Sequence, residues 1–411
     1  MSATPDFLTD VRLSDYAYDL PPEQIAEAPL AVRDQARMLV FRKGTISHRV
    51  FHDIPTELPP DTLLVGNDTK VIHARLYFWR ESGAKIEILL LLPQAPAAVD
   101  ASMAATGTCT WRCIIGNKKK WKPDETLSLT STAAGHPLHL TAHLTDREEQ
   151  VVRFTWTPAD MSFAAVVEVL GKLPLPPYIS REAAPEDEIR YQTVYARQAG
   201  AVAAPTAGLH MTEAVLTRLR ETGTRQLWVT LHVSAGTFLP VKHDQVVAHD
   251  MHAEQMVVTR DALVSLLDHI GPVIPIGTTS LRWLESLYWL GVSLCQGYHP
   301  DADTPFCVAK LLPYEATADA LPDRRKALQA VRTYMDTHQK EQITGETRIL
   351  IMPGYTFRMV TGLITNFHMP ETTLILLVAA LLGPAWRQVY EEALREGYRF
   401  LSYGDSSLLL P

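Results

Sequence analysis

The sequence predicts an α/β protein: a layered α/β main domain with a small β-barrel domain inserted into it. Three observations predict this. From Pro158 onward, helical and extended patterns alternate, which is the order of an α/β layer. Between Lys85 and Phe154 the pattern is instead a series of short alternating stretches with no convincing helix between them, as in a small barrel. A length of 411 residues is also more than one compact core usually needs.

In chain order, Tyr18 to Val40 runs from a Pro-Pro turn through a short helical segment into an apolar strand, Met38 to Phe41, at an edge of the main domain. Strands follow at Leu63 to Val65 and Lys85 to Leu92, then at Thr110 to Ile115, Thr126 to Thr130, His139 to Leu144 and Val151 to Trp156. The main domain is expected over 1–75 and 157–411, and the barrel over 76–156. Beyond Pro158 the spacing predicts helices at Phe163 to Leu170 and Thr212 to Thr222, a strand at Leu227 to Val233 and a helix at Arg260 to Ile270. A strand at Val273 to Ile276 and a helix at Ser280 to Leu290 complete this run. An insertion at about 291–348 carries an amphipathic helix with Ala327, Leu328, Val331, Tyr334 and Met335 at helical spacing. Strand Ile349 to Met352, a core helix near Leu374, an amphipathic helix at Trp386 to Glu396 and the stretch Tyr398 to Asp405 close the chain.

Composition narrows the function. The chain is 46% hydrophobic and 20% charged, an ordinary globular balance. Met1 to Asp10 lacks a basic start followed by an apolar stretch, so no export signal is expected and the mature protein should begin near Met1. The run Leu374 to Leu382 is roughly half of the about 20 residues that a membrane-spanning helix requires, and reads as a buried core helix. Four cysteines without a CxxC pair fit reduced thiols in a cytoplasm. A net charge of -8 argues against a surface that coats nucleic acid everywhere, although a local basic patch is visible.

Several blocks carry groups suited to chemistry. Ala203 to His210 (AAPTAGLH) sets small residues, Gly208 among them, beside Thr206 and His210, just before a helix. Small residues let the backbone approach a ligand, and a helix start offers N–H groups to an anion; a tight turn would need the same residues. Gly277 to Ser286 (GTTSLRWLES) follows a strand and opens a helix, with Thr278 and Thr279 as possible caps. Arg282 and Glu285 share a helix face there, either holding a ligand carboxylate or forming a surface salt bridge.

His249, His252 and Glu254 lack the HExxH spacing of a zinc helix, so no metal is expected. On an extended segment His252 and Glu254 would point to one face, as a hydrogen-bonded pair. His232 ends an apolar strand ahead of a small-residue turn, a frequent place for active-site groups or for a buried histidine satisfied by backbone. Asn366 and His368 precede the core helix, and Tyr403 and Asp405 lie near the C-terminus. In the barrel, Lys118, Lys119, Lys120 and Lys122 surround Trp121. Lysines can neutralise phosphates and an indole can stack on a base; the alternative is a solvated hairpin tip.

Together with Val65 to Leu76 (VGNDTKVIHARL), Leu173 to Arg181 (LPLPPYISR) and Asp187 to Ala196 (DEIRYQTVYA), these blocks resemble the S-adenosylmethionine:tRNA ribosyltransferase-isomerases of the queuosine pathway, in that family's order along nearly the whole chain. The resemblance implies an α/β domain with an inserted barrel. It also implies transfer of the ribosyl part of S-adenosylmethionine to a 7-aminomethyl-7-deazaguanine base at the tRNA wobble position, giving epoxyqueuosine with release of adenine and methionine. S-adenosylmethionine is then a co-substrate with no further cofactor, and the partner is a tRNA bearing the precursor base.

The residues fit such chemistry. A sulfonium acidifies the neighbouring C5' hydrogens, so a positioned base can remove one while another group protonates the departing adenine. Candidate catalytic residues are His210, His232, His252 and His368, with Glu254 or Asp405 as orienting carboxylates. Thr206, Gly208, Thr278, Thr279, Arg282, Asn366 and Tyr403 are candidates for holding substrate, and Lys118 to Lys122 for tRNA. The chain departs from the family pattern at Met211, Ser234 and Ser406-Ser407, and in the size of the 291–348 insertion. A paralogue acting on a different nucleoside acceptor, or a non-catalytic RNA-binding relative, would accommodate those departures.

Overall fold

A computed structural model describes residues 11–133, 136–234, 244–249, 251–298, 300–301, 304–315 and 321–411. The turn that continues from Ser234 through 235–243 lies outside the described residues.

The main layer is a ten-stranded mixed sheet. In spatial order its strands are Phe306–Val308, Gln342–Thr347, Glu254–Thr259, Arg225–His232, Leu63–Asn67, Val273–Ile276, Leu363–Asn366, Ser406–Leu410, Arg37–Arg42 and Thr45–Val50. The four central ones, from Arg225–His232 to Leu363–Asn366, run parallel. Three of these, Leu63–Asn67, Val273–Ile276 and Leu363–Asn366, are buried along their whole length. Burial on both faces explains why they read as continuous apolar runs and not as alternating ones. Because the four are parallel, their carboxyl ends meet at one edge, where ligands bind in open α/β sheets.

The second layer is a six-stranded antiparallel sheet in the order Arg75–Trp79, Lys85–Ala95, Thr108–Gly116, Val151–Thr157, His136–Asp146 and Thr126–Ala133. Its two outer strands approach one another, so the sheet curls into a nearly closed barrel. The barrel has its own core, in which Trp111, Phe154 and Phe163 pack ring against ring.

Five local expectations need correction. A short helix, Val99–Ala104, does interrupt the barrel strands, with Val99 and Met103 turned into the core. The segment after Tyr18 forms only the 3-10 turns Pro22–Gln24 and Arg33–Gln35, since its prolines supply no N–H for a longer ladder. The helix beginning at Arg260 stops at Leu267, leaving Ile270 97% exposed. The helix after Val273–Ile276 is longer than expected, Gly277–Cys295.

Finally, Ile349 to Met352 is not a strand. It is buried but irregular, while the preceding Gln342–Thr347, with alternating burial, makes the ladder with Glu254–Thr259. The 291–348 segment is built into the main layer. Phe306–Val308 and Gln342–Thr347 extend the sheet, and helix Arg324–Thr337 buries Ala327, Leu328, Val331 and Met335 in the main core. Helix Thr373–Leu382 is a core helix, and no single helix among the described residues is long and apolar enough to cross a membrane.

Candidate active site

A cavity of about 170 Å³ opens at the carboxyl ends of the parallel strands. Each of its walls is the continuation of a strand or the start of a helix. Gly277 leaves Val273–Ile276 with φ +86°, a left-handed conformation that side-chain-bearing residues rarely adopt, and the helix it opens places Thr278, Thr279 and Arg282 on the cavity. Ala203, Ala204, Pro205, Thr206 and Ala207 form a second wall, Asn366 and His368 a third, and Glu254 and Val233 a fourth.

Arg282 and Glu254 form a buried ion pair through Nη1 and Oε2. Burial pushes the Glu254 carboxyl up from its usual range, and the facing Arg282 guanidinium opposes that shift. Nε and Nη2 of Arg282 are buried and have no partner among the described residues. These two nitrogens form one edge of the guanidinium fork, the edge that receives a carboxylate in bidentate fashion.

The expected pairing of Arg282 with Glu285 does not occur. Glu285 is fully buried and accepts from the Tyr355 hydroxyl at 2.7 Å and from the backbone N–H groups of Arg358 and Met359 at 3.0 and 2.9 Å. It anchors the loop after Met352, not the ligand edge of the helix. Of the expected His252–Glu254 pair, the Glu254 carboxylate is held by Arg282 through Oε2.

The four histidines separate. Among them only His368 lines the cavity. Its Nε2 lies 3.0 Å from the Thr365 hydroxyl, its backbone N–H donates to the Tyr390 hydroxyl, and burial lowers its pKa to about 4. His210 stands behind the wall, with Nε2 at 3.2 Å from Asn366 Oδ1. Asn366 Nδ2 donates to the carbonyls of Leu401 and Ser402, so Oδ1 accepts the proton that His210 Nε2 carries. His232 is buried against the Thr69 hydroxyl at 3.3 Å. Burial lowers both His210 and His232 to about 4. His252 is half-buried and does not line the cavity.

Other candidates lie elsewhere. The Asp405 carboxylate accepts from Arg399 Nη2 and from the N–H groups of Arg399 and Arg37, so it orients no histidine of the cavity. The Tyr403 hydroxyl donates to Asp187 at 2.7 Å and faces a second, smaller cavity. Gly208 is a spacer: a Cβ there would sit 2.1 Å from the Tyr195 hydroxyl. Sequence reasoning missed Tyr178, Tyr191 and Ser402, which line the cavity, Tyr178 and Ser402 sharing a 2.5 Å hydrogen bond. The signal was present, since both tyrosines lie in the LPLPPYISR and DEIRYQTVYA blocks.

On the barrel, Lys119, Lys120 and Lys122 are exposed. Trp121 is fully buried, its indole N–H donating to the Glu125 carbonyl at 2.9 Å, so it presents no face to a base. Apolar packing under the hairpin claims the ring. The exposed indole is Trp79, 55% accessible, which pairs across the ladder with Lys85. Lys85 Nζ lies 3.6 Å above the Tyr77 ring, and the Lys85 carbonyl accepts from Asn117, next to the lysine turn.

The departures from the family pattern at Met211, Ser234 and Ser406-Ser407 are all buried. Met211 is fully buried among Val215, Ile276 and Ile364, Ser234 and Ser406 are buried, and the Ser407 hydroxyl donates to the Thr365 carbonyl. Among the described residues, no group of three His, Cys, Asp or Glu side chains is arranged to hold a metal.

A cavity at the carboxyl ends of parallel strands, walled by hydroxyls, a histidine and a buried Arg–Glu pair, is the arrangement of an α/β enzyme acting on a small polar ligand. The chain belongs to the queuosine biosynthesis protein family, whose model matches residues 13–409. It is 39% identical over 403 residues to the S-adenosylmethionine:tRNA ribosyltransferase-isomerase of Azoarcus sp. (strain BH72), covering 97% of each chain. It is 38% identical over 406 residues to the enzyme of the same name from Thermus thermophilus, covering 97% of this chain and 99% of that one. Among solved structures it is similar to an S-adenosylmethionine tRNA ribosyltransferase from Thermotoga maritima, at 26% identity over 96% of this chain and 100% of that one, with a TM-score of 0.46.

Proposed function

We propose that this protein transfers and isomerises the ribosyl moiety of S-adenosylmethionine onto 7-aminomethyl-7-deazaguanine at the tRNA wobble position, giving epoxyqueuosine and releasing adenine and methionine. End-to-end similarity to relatives that bear the name of this activity carries the reading. The cavity supports it. The Nε and Nη2 edge of Arg282 takes the carboxylate of the methionine portion, and Thr206, Thr278, Thr279 and Asn366 hydrogen-bond the ribose and the bases.

His368 is the base. An uncharged imidazole suits a site that must accept a sulfonium cation, and His368 is held uncharged at neutral pH by its burial. It removes a C5' proton made acidic by the sulfonium. As an imidazolium in a dry site it is then a strong enough acid to protonate adenine as the glycosidic bond breaks. The exposed lysines of the barrel and Trp79 contact tRNA, the lysines at phosphates and the indole at a base. Such a reaction places the protein in the cytoplasm, with its tRNA.

The deciding experiment incubates the purified protein with S-adenosylmethionine and tRNA carrying the aminomethyl-deazaguanine base. Adenine release together with the epoxyqueuosine mass is expected. Their absence, with a relative active in parallel, would overturn the assignment.

A further inference from the structure

Behind Asn366, on the side where His210 stands, lies the second cavity, lined by Arg33, Arg190, Arg399 and His210 and sharing Ser402 with the first. Arg399 is neutralised by Asp405 at 3.0 Å. Arg33 and Arg190 are not. Arg33 donates to the carbonyls of Gln192 and Ile189, at 3.0 and 3.4 Å, and Arg190 donates to those of Ala31, at 2.9 Å, and Leu30. Neither has a carboxylate partner among the described residues, and Asp187, three residues before Arg190, is paired with Arg181 and Tyr403.

Carbonyls satisfy guanidinium hydrogens but leave the full positive charge. Burial, and then the charge of Arg190, hold Arg33 below its ordinary value, so the two cations act on each other across the cavity. A clamp between the 30–33 and 189–192 segments needs only the hydrogen bonds. Two like charges at one part-buried site add an electrostatic cost that an anion removes. The buried Nε of Arg190, without a partner among the described residues, supplies a further donor there.

We propose that this second cavity binds a phosphate of the substrate RNA strand, at or next to the nucleotide whose base enters the first cavity. The inference rests on the function proposed above. Guanidinium forks match phosphate oxygens in bidentate fashion, and a nucleotide carries its base and its phosphate on different sides of the sugar. The first cavity presents hydroxyls, Asn366, His368 and the Arg282–Glu254 pair, and the second, only about 20 Å³, presents arginines, so that the base fits the first and the phosphate sits at the mouth of the second.

The test uses the full chain and its Arg33→Gln, Arg190→Gln and Arg33→Lys variants. tRNA binding is followed by fluorescence anisotropy across a salt series, S-adenosylmethionine binding by calorimetry, and folding by thermal melting. Each Gln variant is expected to weaken tRNA binding about tenfold at about 100 mM salt and to reduce the log–log salt slope by about one, as loss of a phosphate contact does. S-adenosylmethionine affinity should stay within about twofold, and Arg33→Lys, which keeps the charge, should retain most of the slope.

An unchanged salt slope in both Gln variants overturns the proposal, including the case in which affinity falls only as far as melting does, which leaves the arginines as a structural clamp. If the unaltered protein modifies no tRNA at all, the functional reading itself fails, and that result is distinct from modification with unchanged slopes.

Discussion

Arg282 lies on the second turn of the helix that leaves the central sheet, and it donates Nη1 to Glu254 of the strand Glu254–Thr259 while Nε and Nη2 stay without a partner among the described residues. One carboxylate fixes the guanidinium plane and leaves its bidentate edge for another. Arg282→Lys keeps the charge but loses the fork, and should weaken S-adenosylmethionine binding by about 1.5–3 kcal/mol, or roughly ten- to a hundredfold. Calorimetry checks this. Arg282→Ala should in addition destabilise the fold by about 3–5 kcal/mol, because Glu254 is left buried and uncompensated, and denaturant unfolding would register it.

His368 lines the cavity, whereas His210 and His232 do not. His368→Gln should lower kcat for adenine release by about 10²–10⁴-fold with little change in S-adenosylmethionine affinity. His232→Gln should act mainly on stability. If turnover in these two variants fell equally at matched folded fractions, the assignment of the base to His368 would be lost.

Three buried histidines make stability depend on pH. Each titrates near 6.5 when unfolded and at about 4 when folded. Below pH 6.5 the unfolded chain therefore binds more protons than the folded one. Their contribution is complete above about pH 6.5 and is lost as pH falls towards 4, with each histidine adding about 1.4 kcal/mol per pH unit to the slope. Denaturant midpoints between pH 7 and 4 should show an uptake of about three protons on unfolding near pH 5, reduced by about one in His210→Asn. A flat profile across this window would contradict the burial of these rings.

Two of the barrel tryptophans, Trp121 and Trp79, make opposite predictions. Trp121→Ala removes a fully buried side chain and should cost about 3–5 kcal/mol of stability. Trp79→Ala should leave melting unchanged and weaken tRNA binding by about 1–3 kcal/mol. Thermal melts and anisotropy titrations separate the two effects.

Much of this was legible before any coordinates. The alternation after Pro158 and the short strands before it define an α/β layer with a barrel, because period and length record which faces are buried. The outward position of Trp79 was readable as well, since Arg75, Tyr77 and Trp79 alternate with buried Leu76 and Phe78; proximity to the lysines drew attention to Trp121 instead. Ile349 to Met352 misled, because an apolar run records burial and says nothing about whether a neighbouring strand pairs with it.

The sequence by itself determined the fold class, the membership of the family and a short set of reactive side chains that includes every polar group of the Arg282, Glu254, Asn366 and His368 cluster. Only the tertiary structure decided which of them share a cavity. Four parallel strands bring residues distant in the chain to one edge, so that His368 and Arg282, 86 positions apart, line the same space while His210, an equal candidate along the chain, is turned behind Asn366. Proximity of that kind depends on strand order and on which face each turn presents, and neither is written in local spacing.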